Sequence, residues 1–317
     1  MQVHLLEAQT GDAFIVDCGD SRIIIDGGTR GVAKSIRRKL QSNVGQELKA
    51  IIVSHVDNDH VGGIVKMFQH HSSLIPKHVP IYINHPSLVP VKEDKSGLVS
   101  FDDGNTLKTL LDDKGYCVRQ ASEDDVIKLG SIELKILTPS IEDRTSLYKE
   151  WLKSDKDSGL VSSDLIEVDY LAMFKEPKPH VQSDIVNIAS TSFILEHQEK
   201  RVLFLSDSDS NSIETKLKKK TKFDLVKVSH HGSKNNTSLK MLEKIECNNF
   251  IVSTNGPRSY GHPHAESLVR LIKSCEAHGF GECNLYFNYK KVKDRIRLKN
   301  IPEKIKVNLI HTNLLSL

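Results

Sequence analysis

An α/β fold is predicted by three features of the 317-residue sequence. Short apolar runs rich in β-branched residues recur along the chain, bounded by turn residues, as strands are. Segments with apolar positions at helical spacing lie between them. Side chains able to bind a metal stand where apolar runs stop: Asp26, His55, His85, Asp207 and His230. Ligands collect at strand ends along one edge of α/β sheets, so the third feature ties the fold to a site.

The elements follow in order. "AFIVDC" and "SRIIIDGG" form a hairpin with Gly19-Asp20 as its turn. "GVAKSIRRKLQSN" is a surface helix with a basic face. "LKAIIVSH" is a buried strand, and a helix starts at "VGGIVKMFQHH", with Gly62-Gly63 letting the chain turn tightly into it. "VPIYINHP" is a strand and "DVIKLGSIELKILTP" a strand pair. Residues 140–182 are polar and lack sustained periodicity, the mark of a functional or disordered connection. "STSFILEHQEKRVLFLSDSD" resumes as two strands around a turn, then "FDLVKVSHHGS" and "NNFIVSTNG" as strands and "SLVRLIKSCEAHG" as a helix. The tail at 284–317 is strand-rich and basic.

Composition narrows the class. The chain is 38% hydrophobic and 27% charged with a net charge of +3, which excludes wholesale disorder and is compatible with an anionic substrate. The start shows no signal-peptide pattern, and no stretch nears the roughly 18 apolar residues that would cross a bilayer. The five cysteines are odd in number and show no CxxC spacing, so they read as reduced thiols of a cytoplasmic protein.

The densest chemistry is "IIVSHVDNDHVGG", residues 51–63, where His55, Asp57, Asp59 and His60 follow a buried strand. Imidazole nitrogen and carboxylate oxygen are the donors zinc and similar ions take, and a two-metal site needs several on each ion. H-x-D-x-D-H aims His55 and Asp57 at one ion and Asp59 and His60 at a second. The plain alternative is a solvated turn whose aspartates cap a helix.

"HVDNDH" resembles the H-x-H-x-D-H signature of the metallo-β-lactamase fold superfamily of metal hydrolases, with Asp57 where the pattern has histidine. The ordered set "QTGDAFIV", "RIIIDGG", "SHVDNDHVGG", "VLFLSDSD", "VSHHGSKNN" and "YGHPHAE" is similar to the soluble hydrolase domain of ComEC-type DNA-uptake proteins, over about residues 1–290. The resemblance implies a four-layer αββα fold, two packed mixed β-sheets flanked by helices. It also implies a single domain over 1–317 with a variable insertion at 140–182.

By position, the resemblance implies Asp26 as a structural buttress and His55, Asp57, Asp59 and His60 as the first ligand cluster. Asp207 becomes the bridging ligand, preceded by Ser206 where the pattern has glycine; Asp209, two residues on, is the competing choice. The distal ligand is His230 or His231. His85 is the candidate third histidine, whereas His70 and His71 read as surface residues and His180 as a bystander. His262 lines the active site against a substrate oxygen, and His264 stands aside. Ser233 and Lys234 in "HHGSK" are placed to hold a phosphate oxygen, and Asn187 or Ser190 sits below the metals.

Together these readings predict a two-metal phosphodiesterase or nuclease, with Zn2+ as the expected ion and Mn2+ admitted by the oxygen of Asp57. Asp59 or Asp57 orients the hydroxide. The substrate is nucleic acid or another phosphodiester, and residues 140–182, with Trp151, are a candidate partner surface. "KLKKKTK" at 216–222 and "NYKKVKDRIRLK" at 288–299 add basic character, with Tyr286, Phe287 and Tyr289 beside the second. The rival expectations are a lactone or ester hydrolase of the same fold and a metal-stabilised non-catalytic module of a defence or regulatory complex.

Overall fold

Period-two alternation sorts the strand residues onto opposite faces, and each face has its own core. In a computed structural model describing residues 1–42, 45–88, 101–151, 165–172, 176, 185–257 and 261–317, two large mixed sheets stack face to face. One runs Leu314–Ser316, Gln2–Leu5, Phe14–Cys18, Ser21–Ile25, Glu47–Ile52, Ile81–Tyr82, Val118–Arg119. The other runs Lys306–His311, Glu282–Phe287, Asn249–Val252, Leu225–Lys227, Lys200–Phe204, Ser192–His197, Ile132–Thr138, Val126–Leu129. Each sheet is antiparallel on one side and parallel on the other.

Phe14, Val16, Ile23, Ile25 and Ile52 of the first sheet meet Leu134, Phe193, Leu195, Phe204 and Ile251 of the second in the central core. Their neighbours Ile15, Ile24 and Ile51 point outward and pack under helices through Ile36, Ile64, Phe68 and Leu107. On the far side Leu203, Val226 and Phe250 pack against Ile213, Leu268 and Ile272. Helix, sheet, sheet, helix: the four-layer αββα arrangement is what this alternation builds.

The hairpin forms with Cys18 opposite Ser21, and the basic helix spans Ala33–Ser42. Three local readings need correction. The helix after the His/Asp cluster spans Asn58–His70, so it starts inside the motif and carries Gly62 and Gly63 in its body. The strand of "VPIYINHP" is only Ile81–Tyr82, which leaves His85 beyond its end. Residues 140–182 are less irregular than their polarity suggests. Ser140 caps a helix, Ile141–Glu150, by accepting from the Asp143 N–H at 3.0 Å, and Ile166–Asp169 pairs parallel to Ile296–Lys299. Local capping starts that helix, and its two buried residues, Leu147 and Tyr148, are adjacent, so no apolar stripe announces it. His180 and most of residues 152–184 lie outside the described residues.

Trp151 is buried rather than displayed. It stacks on Phe101 with ring centroids 4.1 Å apart and donates from Nε1 to Asn105 at 3.1 Å. A Cβ on Gly104 would lie 2.8 Å from the Trp151 ring and 2.9 Å from Val56, so this cluster braces the His/Asp turn from below. Among the described residues no helix is long and apolar enough to cross a membrane.

Candidate metal centre

The site lies where parallel strands of both sheets end. Asp26 follows Ser21–Ile25, His55 follows Glu47–Ile52, Asp207 follows Lys200–Phe204, and His230-His231 follow Leu225–Lys227. Asp26 adopts a left-handed φ of 56° and Ser206 one of 44°, conformations glycine favours. The second explains why a glycine belongs before the bridging aspartate. Here a serine occupies the position, and its Oγ donates to the Thr191 carbonyl at 2.6 Å.

Asp26 orders the first cluster. Its Oδ1 accepts from the Ser54 N–H at 2.7 Å, and its Oδ2 accepts from Ser54 Oγ at 2.6 Å and His60 Nδ1 at 2.9 Å. With its proton given to Asp26, Ser54 Oγ accepts from His55 Nδ1 at 3.0 Å. His231 donates from Nδ1 to the Ser253 carbonyl at 3.0 Å. Three imidazoles thus have Nδ1–H occupied, which leaves each Nε2 with a lone pair for a metal.

All three Nε2 atoms face Asp207. Its Oδ2 lies 3.3 Å from His231 Nε2, 3.5 Å from His60 Nε2, and 3.9 Å from both His55 Nε2 and His230 Nε2. His60 Nε2 and His231 Nε2 are 3.3 Å apart, a spacing at which two bare lone pairs repel unless a proton or cation sits between them. His55 Nε2 is buried with no hydrogen-bond partner and lies 3.6 Å from Asp57 Oδ2. Ligand atoms of Asp12, His60, Asp207 and His231 all fall within 4.8 Å of one another.

The electrostatics ask for positive charge. Burial opposes charging of His60, yet facing Asp207 and Asp26 it is raised well above the ordinary imidazole range. His231, equally buried, is raised to about 10 by Asp207 and Asp12. Burial works against ionisation of Asp207, but His231, His60 and His230 hold it well below the usual carboxylate range. Burial, followed by His60, pushes His55 well below, so its ring is neutral. These residues fit a divalent cation: a neutral His55 with an unpartnered buried Nε2, an ionised Asp207, and His60 and His231, whose positive charge a bound cation would replace at the same carboxylate.

Other sequence candidates fall differently. Asp57 is the N-cap residue of Asn58–His70 but makes no side-chain cap bond, and its carboxylate turns toward His55. Asp59 is half-buried in the first helical turn against Gly11 and is not one of the four converging residues. Asp209 caps the helix Ser210–Lys216, accepting from the N–H groups of Asn211 and Ser212, which leaves the site to Asp207. His85 is a correction: its Nε2 meets Asn105 Oδ1 at 2.9 Å, its Nδ1 meets Ser87, and its ring packs on Trp151. Both nitrogens are engaged away from the cluster. Ser233 is buried in the turn, where its Oγ accepts from Asn235 N, and the Lys234 ammonium lies 3.5 Å from Glu266, so neither is aimed at the cluster. Asn187 accepts through its carbonyl from Ser190 N, and it is Ser190 Oγ that takes the Asp207 N–H at 3.2 Å. His262 stands beside the cluster, its ring centroid 5.3 Å from that of His230 and 6.0 Å from that of His231.

Sequence reading missed two charged residues, Asp12 and Lys227, which form an ion pair under Asp207 and are 1% exposed each. The signal for Lys227 was present: a lone charge in the apolar run Leu225, Val226, Val228, one turn before the histidine pair. Asp12 was in view within "QTGDAFIV" but had no partner until the fold supplied one.

Asp26→Asn tests the ordering of the histidines. The amide would donate to His60 Nδ1 and move the ring proton to Nε2, so divalent-ion affinity should fall about 10- to 100-fold in calorimetric titration. Wild-type affinity would show that Asp26 does not set that tautomer.

Residues 6–136 match the family described as Metallo-beta-lactamase superfamily, a stretch holding Asp26 and the His/Asp cluster and ending before Asp207. Among individual proteins the chain is similar to ComE operon protein 3 of Bacillus subtilis (strain 168), at 21% identity over 295 residues. That likeness covers 85% of this chain and 30% of the relative, so the chain spans under a third of the relative's length. Similar solved structures include the metallo-beta-lactamase fold protein YhfI from Bacillus subtilis, at 12% identity, 99% coverage of each chain and a TM-score of 0.45. Zn(2+)-bound PqqB from Methylobacterium extorquens is another, at 10% identity, 100% coverage of each chain and a TM-score of 0.47.

Proposed function

We propose that this protein is a metal-dependent hydrolase that cleaves phosphodiesters, with nucleic acid as its substrate class and two divalent ions, Zn2+ or Mn2+, at its centre. The observation that carries the reading is the placement of Asp207 Oδ2 within 3.9 Å of four imidazole nitrogens drawn from both halves of the chain. His55, Asp57 and His230 would hold one ion, and His60 and His231 the other, with Asp207 between them. Asp59 is assigned to the second ion beside them. When bound, such a pair supplies Lewis acidity and lowers the pKa of a coordinated water.

The chain's own groups do the rest. His262 stays neutral, because burial and then His230 and His231 push it well below the ordinary imidazole range, so it donates a hydrogen bond without adding charge. It stands beside His230 and His231, where a substrate oxygen would meet it. Asp57 is 44% exposed at its side chain, which lets it reach both an ion and solvent and so orient a water. Phosphodiesters are favoured by the likeness to ComEC-type DNA-uptake proteins and by the exposed Lys290 and Lys291 of the short helix Lys290–Asp294. Much of the remaining basic character is locally paired, Lys216 with Glu123, Lys220 with Glu246 and Lys299 with Glu167.

Metal analysis of the purified protein, joined to assays on single- and double-stranded DNA, RNA, a bis-aryl phosphodiester and a lactone, tests the reading. Phosphodiester cleavage should vanish on chelation and return with Mn2+ or Zn2+. Chelated protein with undiminished activity, or a preference for the lactone, would overturn it.

A further inference from the structure

Lys227 plays no part in the hydrolysis described above, yet it lies at the centre of the site. It ends the strand Leu225–Lys227, and its ammonium is 1% exposed, beneath the loop that carries Asp207. An ammonium in such a place needs partners on every side. It has three: the Asp12 carboxylate, the Ser206 carbonyl at 2.8 Å and Asp207 Oδ1 at 3.6 Å. The Ser206 carbonyl also accepts from the His230 N–H at 2.9 Å, so one oxygen joins Lys227 to both loops. Asp12 Oδ1 in turn lies 3.5 Å from His231 Nδ1, on the side of the ring away from Asp207.

We propose that Lys227 is a positioning residue of the metal centre, holding Asp207 with Oδ1 turned inward so that Oδ2 alone faces the imidazoles, with Asp12 as its buried counter-ion. The inference rests on the metal-centre reading above. Its logic is geometric. A carboxylate free to rotate would offer either oxygen, and could grip one ion with both. Fixing Oδ1 toward the ammonium leaves a single oxygen equidistant from His55 and His230, at 3.9 Å, and near His60 and His231. That arrangement favours sharing between two ions over capture by one. A buried ion pair is weak support for stability, since apolar replacement of both partners is often neutral. The direction in which the pair aims Asp207 therefore matters more than its contribution to folding.

The test uses the full chain and three variants: Lys227→Met, the charge-balanced Lys227→Met/Asp12→Asn, and Asp12→Asn alone. Apparent Kd and stoichiometry for Zn2+ and Mn2+ are measured against a chromophoric chelator, beside thermal melting of the metal-free forms. The double variant should melt within a few degrees of wild type while its metal affinity falls about tenfold or more, as loss of groups supporting metal ligands does. A purely structural pair would do the reverse, lowering the melting temperature with affinity unchanged, and that result overturns the proposal. If the Lys227 variants do not fold, Asp12→Asn decides. With Asp12 neutral, Asp207 is the only carboxylate left to the ammonium, which then competes with ions for it, so affinity should fall; wild-type affinity overturns the proposal. Wild-type protein that binds neither ion defeats the metal-centre reading and this one together. Binding by wild type with unaltered variants defeats this one alone.

Discussion

Replacing Asp207 with asparagine is expected to abolish stable divalent-ion binding and to lower hydrolytic turnover roughly a thousandfold, the ~4 kcal/mol of transition-state stabilisation a metal centre readily supplies. The side chain keeps its volume, so the fold should persist. What changes is the charge at one atom. Asp207 Oδ2 is the point toward which His231, His60, His55 and His230 converge, at 3.3 to 3.9 Å. An amide presents either a weakly donating oxygen or an NH2 group there, and neither bridges two cations. The metal-free protein should change too. His60 and His231 are raised largely by Asp207, so both should titrate at lower pH in Asp207→Asn, a shift readable from imidazole resonances by NMR. Stoichiometric metal with wild-type turnover in this variant would show that the convergence on Asp207 is not the reaction centre.

How much of this was legible beforehand depends on the range over which each signal acts. The αββα layering is written in alternation: Ile23 and Ile25 face one core while Ile24 faces another, and the same holds for Phe204 against Leu203. The His/Asp turn was visible because its members are adjacent in sequence. The local geometry that selects among histidines was not. His230 and His231 are identical in type and both adopt left-handed φ, 46° and 56°. Only the carbonyl of Ser253, just past a strand some 20 residues on, distinguishes the anchored ring. His85 misled for the converse reason. It stands after a strand, as a ligand would, but Asn105 and Trp151 reach it across 20 and 66 residues, one bonding its Nε2 and the other packing on its ring. Lys227 and Asp12 are separated by 215 positions, and a pair that distant announces itself only when the two sheets are stacked.

The glycine pair after the motif carries the second large prediction, because its reason differs from the one its sequence suggests. Gly62 and Gly63 lie within Asn58–His70, where glycine costs about 1 kcal/mol relative to alanine, so alanine should stabilise an isolated helix. In the folded chain a Cβ on Gly63 would sit 2.0 Å from the Gly27 carbonyl oxygen and 2.8 Å from its carbon, both backbone atoms that no rotamer change can move. The same contact carries two hydrogen bonds, Gly27 N to the His60 carbonyl at 2.7 Å and Gly63 N to the Gly28 carbonyl at 2.9 Å. Gly63→Ala must therefore push the helix off the loop that holds Asp26. Overpacking at the upper end of its usual range, about 3 kcal/mol, joined by roughly 1 kcal/mol for each strained hydrogen bond, outweighs the gain in helix propensity and leaves about 4 kcal/mol of destabilisation. That corresponds to a melting temperature lower by about 6 °C. Gly62→Ala is the control. Its Cβ would meet Arg30 N at 3.0 Å and more movable side-chain atoms at 3.3 Å, so its loss should be markedly smaller. Melting curves of the two variants, read beside their metal affinities, separate helix propensity from close approach. Equal melting temperatures for Gly63→Ala and wild type would mean that the helix and the Asp26 loop are not held in the contact that brings His60 to its carboxylate.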